Sequence, residues 1–176
     1  MLPDKIGRMN RRPVIGVMGS GTTDVPALTG PLGKRLAAEG FHLLTGAGAG
    51  VMAGVSRAFF ECEERLGLVV GVVPGSVDLE RSPRYQPKSG YPNQWVELPI
   101  FTHLSLSGAQ GQDTLSRNHI NILSSDVIVV LPGGQGTASE LELAKRYGKT
   151  VFELNDVADL DALFASIHEA LEARGE

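Results

Sequence analysis

A single cysteine, Cys62, stands among 176 residues, so no intrachain disulfide framework is available and a reducing compartment is expected. No apolar run approaches the ~20 residues needed to cross a bilayer. An excess of one charge is also missing, since 20 acidic against 16 basic residues leave a net −4. That balance argues against non-specific nucleic-acid binding. Lys5, Arg8, Arg11 and Arg12 precede an apolar run, Val14 to Met18, that is too short for a secretory leader. Residues 1–12 therefore read as a flexible tail and 13–176 as one cytoplasmic domain.

Metal chemistry lacks its ligands. His42, His103, His119 and His168 show neither His-x-x-x-His spacing nor a pairing with Cys62, so no metal site is expected. His119 falls on the apolar arc of its helix, where a packed, hydrogen-bonded role is expected. The dinucleotide fingerprint is absent as well. The first strand–helix turn, Gly19-Ser20-Gly21-Thr22-Thr23-Asp24, has no third glycine. Gly46, Gly48 and Gly50 have the wrong spacing after the wrong strand, and there is no Walker A lysine. Common dehydrogenases and ATPases fall to minor alternatives.

Glycine, by contrast, is abundant: 22 residues, about 12% against a usual ~7%. Most of the excess sits at the ends of apolar runs. Six runs read as strands, at 13–18, 41–45, 68–73, 95–101, 126–131 and 150–154. Several are continuously apolar, as strands covered on both faces are. Helical periods lie between most of them, with stripes at Val51, Val55, Ala58, Phe59, Cys62 and Leu66, and at Leu160, Leu163, Phe164, Ile167 and Leu171. The expected fold is α/β, a Rossmann-like parallel sheet with helices on both faces in three layers. One long irregular stretch, 74–94, is left over.

Ligands of such sheets bind at the carboxyl ends of the strands. The loops there are Gly19-Ser20-Gly21, Gly46-Ala47-Gly48-Ala49-Gly50, Pro74-Gly75-Ser76 and Pro132-Gly133-Gly134-Gln135-Gly136-Thr137. Glycines let backbone N–H groups approach an anion, and a helix N-terminus favours negative charge. A phosphate-bearing small ligand follows. On a helical wheel of 107–124, Leu115, Ile122 and Leu123 share an apolar arc, with Asp113, Thr114, Arg117, Asn118 and Asn121 opposite. Arg117 is then either a surface arginine held by Asp113 or a contact beside the Pro132 loop. Thr137 and Glu140 have the spacing of a capping box; the other reading turns the Glu140 carboxylate towards the ligand.

The run Pro132-Gly133-Gly134-Gln135-Gly136-Thr137-Ala138-Ser139-Glu140 resembles the Pro-Gly-Gly-x-Gly-Thr-x-x-Glu signature of the Lonely Guy phosphoribohydrolases, often mislabelled lysine decarboxylases. Arg117, fifteen residues before Pro132, fits the arginine of that family. The superfamily also holds molybdenum-cofactor carriers, and the chain is similar to them at Ile15–Gly21 and Arg117–Ser125. From the hydrolases it departs at Ala47 and Ala53, where glycine is usual, and at Ser139, where they commonly carry a first glutamate.

The resemblance implies a hydrolase that splits a nucleoside 5′-monophosphate into free base and ribose 5-phosphate and requires no cofactor. Arg117 would fix the ligand, and Glu140 would stabilise the oxocarbenium-like transition state or orient water. Gly19, Ser20, Gly21, Gly46, Gly48, Gly50, Asn121, Pro132, Gly133, Gly134, Gly136 and Thr137 would hold the phosphate and the rest of the ligand. The intact motif favours this reading. The alternative is a non-catalytic carrier whose bound ligand is the phosphate-bearing molybdopterin cofactor. In it, the same cradle serves and Thr137 with Glu140 chiefly caps a helix. A homodimer or homotetramer is also implied, with no nucleic-acid or membrane partner. Tyr85, Tyr91 and Trp95, interleaved with Arg81, Arg84 and Lys88, suit an interface.

Overall fold

The structure, a computed structural model, describes residues 11–174. In chain order the elements are β1 (Val14–Met18), α1 (Pro26–Ala38), β2 (His42–Thr45), α2 (Val51–Phe60), β3 (Val69–Val73), β4 (Gly75–Val77), β5 (Tyr85–Pro87), β6 (Leu98–Phe101), α3 (Asn118–Ser124), β7 (Val127–Val130), α4 (Gln135–Arg146), β8 (Thr150–Glu153) and α5 (Leu160–Arg174). Each of the six expected strands forms, trimmed at its ends. They make one sheet in the order β6-β3-β2-β1-β7-β8, with every neighbouring pair parallel. This is the expected three-layer, Rossmann-like α/β architecture.

Alternation along the strands sorts side chains between the two faces. In β1, Ile15 and Val17 join Leu32, Leu36, Phe59, Phe164 and Ile167 in a core beneath α1, α2 and α5. Met18, on the opposite face, meets Leu44, Ile122, Ile128 and Leu143 under α3 and α4. Each fully buried Leu, Ile or Phe contributes roughly 1.5–3 kcal/mol, so both layers are held mainly by apolar burial. The chain runs outward from β1 to β6, then crosses to β7 on the other side of β1. The loops after β1 and β7 therefore part in opposite directions, which opens a crevice between them.

Three local expectations change. The stripe from Val51 to Leu66 breaks at Phe60, where α2 ends, and Leu66 is 67% exposed. The 74–94 stretch is not wholly irregular, because β4 and β5 pair antiparallel with Ser76 opposite Gln86. The 107–124 helix is also much shorter. A 3₁₀ turn covers Gly108–Gln110, and α3 starts only after Arg117. Leu115 and Leu123 are exposed, whereas Ile122 of the same arc and Arg117, Asn118 and Asn121 of the polar arc are buried, so both arcs contribute inward residues.

Most of the expected tail, residues 1–10, lies outside the described residues. Of its last two residues, Arg11 forms a two-pronged pair with Asp126 at 2.6 and 2.7 Å, and Asp126 also accepts from the Val14 N–H. Among the described residues no helix is long and apolar enough to cross a membrane. No group of three or more His, Cys, Asp or Glu side chains gathers as a metal site there either.

Candidate functional site at the strand crossover

Ser20 laces the loops of the crevice together. Its N–H donates to the Pro132 carbonyl at 3.3 Å, and its own carbonyl accepts from the Val51 N–H at 2.9 Å. Its Oγ accepts from the N–H groups of Thr22 and Thr23. Such close approach leaves no room at Gly50, which has φ +61°: a Cβ there would stand 2.8 Å from the Thr22 nitrogen. Ala47 adopts φ +63°, a conformation glycine takes without strain, and is fully buried. The glycine usual at this position thus has a conformational reason.

Between the loops lies a pocket of about 210 Å³ whose walls include Gly19, Gly21, Met52, Tyr91, Gly108, Arg117, Asn118, Gly136 and Glu140. Arg117 lies buried beside Gly46, only 3% exposed. A Cβ on Gly46 would come within 2.5 Å of the guanidinium carbon, so this glycine makes room for the arginine. Arg117 does not pair with Asp113. Its Nη1 donates to Asn118 Oδ1 at 2.6 Å and stands 3.7 Å from Glu140 Oε1, while its Nε has no partner among the described residues.

Glu140 is no capping residue. The N-cap position of α4 is Gly134, and among the described residues no side chain caps the helix and buried Thr137 Oγ1 has no partner. The Glu140 carboxylate instead faces Arg117 and accepts from Asn121 Nδ2 at 3.5 Å. Burial pushes its pKa from 4.5 to about 7, against the opposing pull of Arg117 and Asn121. Ser139, in the position of the missing first glutamate, donates to the Gln135 carbonyl of its own helix. Glu140 is therefore the one carboxylate among the residues lining the pocket.

Of the remaining expected site residues, Gly48 lies against Met52 and Tyr91, where a Cβ would meet the Tyr91 ring at 2.9 Å. Pro132, Gly133, Gly134 and Thr137 line a neighbouring cleft of about 200 Å³ at the α4 start. Sequence reasoning missed Met52, Tyr91 and Asn118 as pocket walls. Tyr91 arrives from a loop that Asn93 fastens to the second glycine turn, donating from its N–H to the Ala47 carbonyl and from Nδ2 to that of Gly48. Aromatic content in the loop was the available signal. His119 is hydrogen-bonded as expected, to the Tyr147 hydroxyl at 2.7 Å and the Asp113 carbonyl at 2.9 Å.

Fold and pocket together define an α/β protein with a glycine-walled crevice at its strand crossover, suited to an anionic small molecule. The chain belongs to the SLOG cluster4 family, whose profile matches residues 12–173. The resemblance carried by the Pro132–Glu140 motif is met at that superfamily level. Among solved structures, the chain is similar to the molybdenum cofactor binding protein of the phototrophic bacterium Rippkaea orientalis. The two are 34% identical with a TM-score of 0.65, over 92% of this chain and 87% of that one. The molybdenum cofactor carrier protein of Chlamydomonas reinhardtii is 31% identical with a TM-score of 0.61, over 92% and 88%. An uncharacterized protein of Archaeoglobus fulgidus is 29% identical over 142 residues, 80% of this chain and 78% of its own.

Proposed function

We propose that this protein is a binding and carrier protein for the molybdenum cofactor, a pterin that bears a phosphate. The observation that carries the reading is a buried arginine, Arg117, lining the crevice beside Gly46. Gly136, in the first turn of the uncapped α4, lines the same crevice, where a helix start favours an anion. That cradle occurs in a fold shared at 34% identity with a molybdenum cofactor binding protein. Met52 and Tyr91 add an apolar wall suited to a ring system.

The same chemistry disfavours glycosidic cleavage. A cationic, oxocarbenium-like centre is stabilised by an ionised carboxylate. Here the one carboxylate in the pocket faces Arg117, and burial raises its pKa, which favours its neutral form over the ionised one such a centre needs. The phosphoribohydrolase reading keeps one observation in its favour: Glu140 turns to the pocket and not to the helix end.

A paired experiment decides between them. Molybdenum cofactor released from a molybdoenzyme should bind saturably, at one per chain, and Arg117→Lys should weaken it at least tenfold, because the planar fork is lost. A panel of nucleoside 5′-monophosphates should release no free base. Base release that disappears in Glu140→Gln would establish the hydrolase instead.

A further inference from the structure

A second cleft, of about 210 Å³, shares Thr22 with the pocket and is otherwise walled by its own residues. On the α2 wall Ala53 contributes only a methyl group, and the space that a side chain at Gly54 would take is filled by the Asp24 carboxylate. Trp95 supplies an aromatic wall. Its ring lies 5.7 Å from that of Phe60, and its backbone N–H donates to Asn93 Oδ1 at 3.1 Å. Two charged groups complete the cleft, Asp24 and Arg57.

Asp24 is held in one orientation. Thr29 Oγ1 donates to its Oδ1 at 2.8 Å, and the carboxylate lies so close to α2 that a Cβ on Gly54 would stand 2.6 Å from Oδ2. Oδ2 has no donor among the described residues. The Arg57 guanidinium, on the same helix, forms no hydrogen bond or ion pair there either, although it lines the same cleft. A fixed acceptor, an uncommitted donor and an indole around one cleft fit a stacked planar heterocycle. An edge with two adjacent N–H donors followed by a carbonyl complements that set.

The geometry points to this cleft as a binding site for a ring with a 2-amino-4-oxopyrimidine edge, the edge that pterins and guanine share. Asp24 accepts from the ring N–H and the exocyclic amine, Arg57 donates to the carbonyl, and Trp95 stacks on the ring. Adenine presents a lone pair where this edge has a donor, so it opposes Asp24. The assignment stands whatever the neighbouring pocket holds. The ring would belong either to a phosphorylated pterin reaching across Thr22 or to a separate guanine nucleoside.

Trp95 is the only tryptophan, so its fluorescence reports this cleft alone. Titration with phosphate-free 6-hydroxymethylpterin and with guanosine should give saturable quenching by at least one of them, with adenosine at least tenfold weaker. Asp24→Asn should weaken the binding at least tenfold. Thr29→Ala, which keeps the carboxylate, should weaken it less than threefold. If a phosphomonoester on the pterin tightens binding and Arg117→Lys removes only that gain, the ring belongs to the ligand of the pocket. Guanosine binding without such a gain makes it a separate nucleoside site. No saturable quenching by either ring, equal binding of adenosine, or equal losses in Asp24→Asn and Thr29→Ala would overturn the proposal. Because the key probes lack phosphate, a failed cradle in the neighbouring pocket leaves their result unaffected.

Discussion

Glu140 shows how one residue couples the pocket to pH. Its pKa of about 7 lies above the 4.5 of an ordinary glutamate, chiefly through burial. Between those values the folded chain holds a proton that the unfolded chain has released, so stability falls as pH rises through this window and levels off above it. The full difference is at most roughly 3 kcal/mol. Glu140→Gln cannot titrate, so its melting temperature should lose that descending slope between pH 5 and 7.5. Equal slopes in a calorimetric series would show that Glu140 keeps an ordinary pKa. Ligand binding should respond in the same sense. Sulfate keeps a constant charge across this range, and beside Arg117 it competes with the ionised carboxylate but not with the protonated one. Its affinity should therefore be about tenfold greater at pH 6 than at pH 8 in the wild type, and nearly flat in Glu140→Gln. Titration calorimetry in two buffers would also detect the proton taken up.

Among the elements, the glycine turns divide into those that touch the site and those that do not. Gly46→Ala forces a methyl group onto the Arg117 guanidinium, so it should weaken sulfate binding at least tenfold. Gly134→Ala meets nothing within 4 Å and should leave affinity within about twofold. The same titration on both variants checks the ranking, and a reversed order would move the anion to the cleft at the α4 start. These distinctions were not legible in the sequence, where both glycines are simply loop residues. The strands were legible, because runs such as Val127–Val130 are apolar on successive residues, as a strand covered on both faces must be. The α3 region misled for a physical reason. A helical wheel assumes one continuous helix with only its apolar arc inward, but α3 begins at Asn118. Arg117, Asn118 and Asn121 are buried along with Ile122 because Arg117 bonds Asn118 and Asn121 bonds Glu140. Capping failed similarly: Thr137-x-x-Glu140 has the right spacing, yet α4 begins at Gln135, which puts both residues inside the helix.

At the scale of the whole molecule, the aromatic residues first read as an interface are already engaged within the chain. Tyr91 lines the pocket and Trp95 is half-buried beside Phe60. One apolar patch lies at the outer edge of the sheet. In β6, Leu98, Ile100 and Phe101 are 49%, 38% and 54% exposed, and the strand carries no charge to discourage association. Tyr85 packs its ring 5.4 Å from Phe101, and its register partner Val77 is exposed as well, so the patch continues onto the hairpin. Pro99 removes one backbone donor from the edge, which disfavours pairing by strand addition and leaves side-chain packing as the means of assembly. A homodimer or tetramer built on this edge is expected. Light scattering should give a multiple of 18.7 kDa for the wild type. Ile100→Lys with Phe101→Glu should yield monomers that still bind sulfate. A wild-type monomer at working concentration would end the oligomer expectation, and a double mutant that still assembles would move the interface off β6.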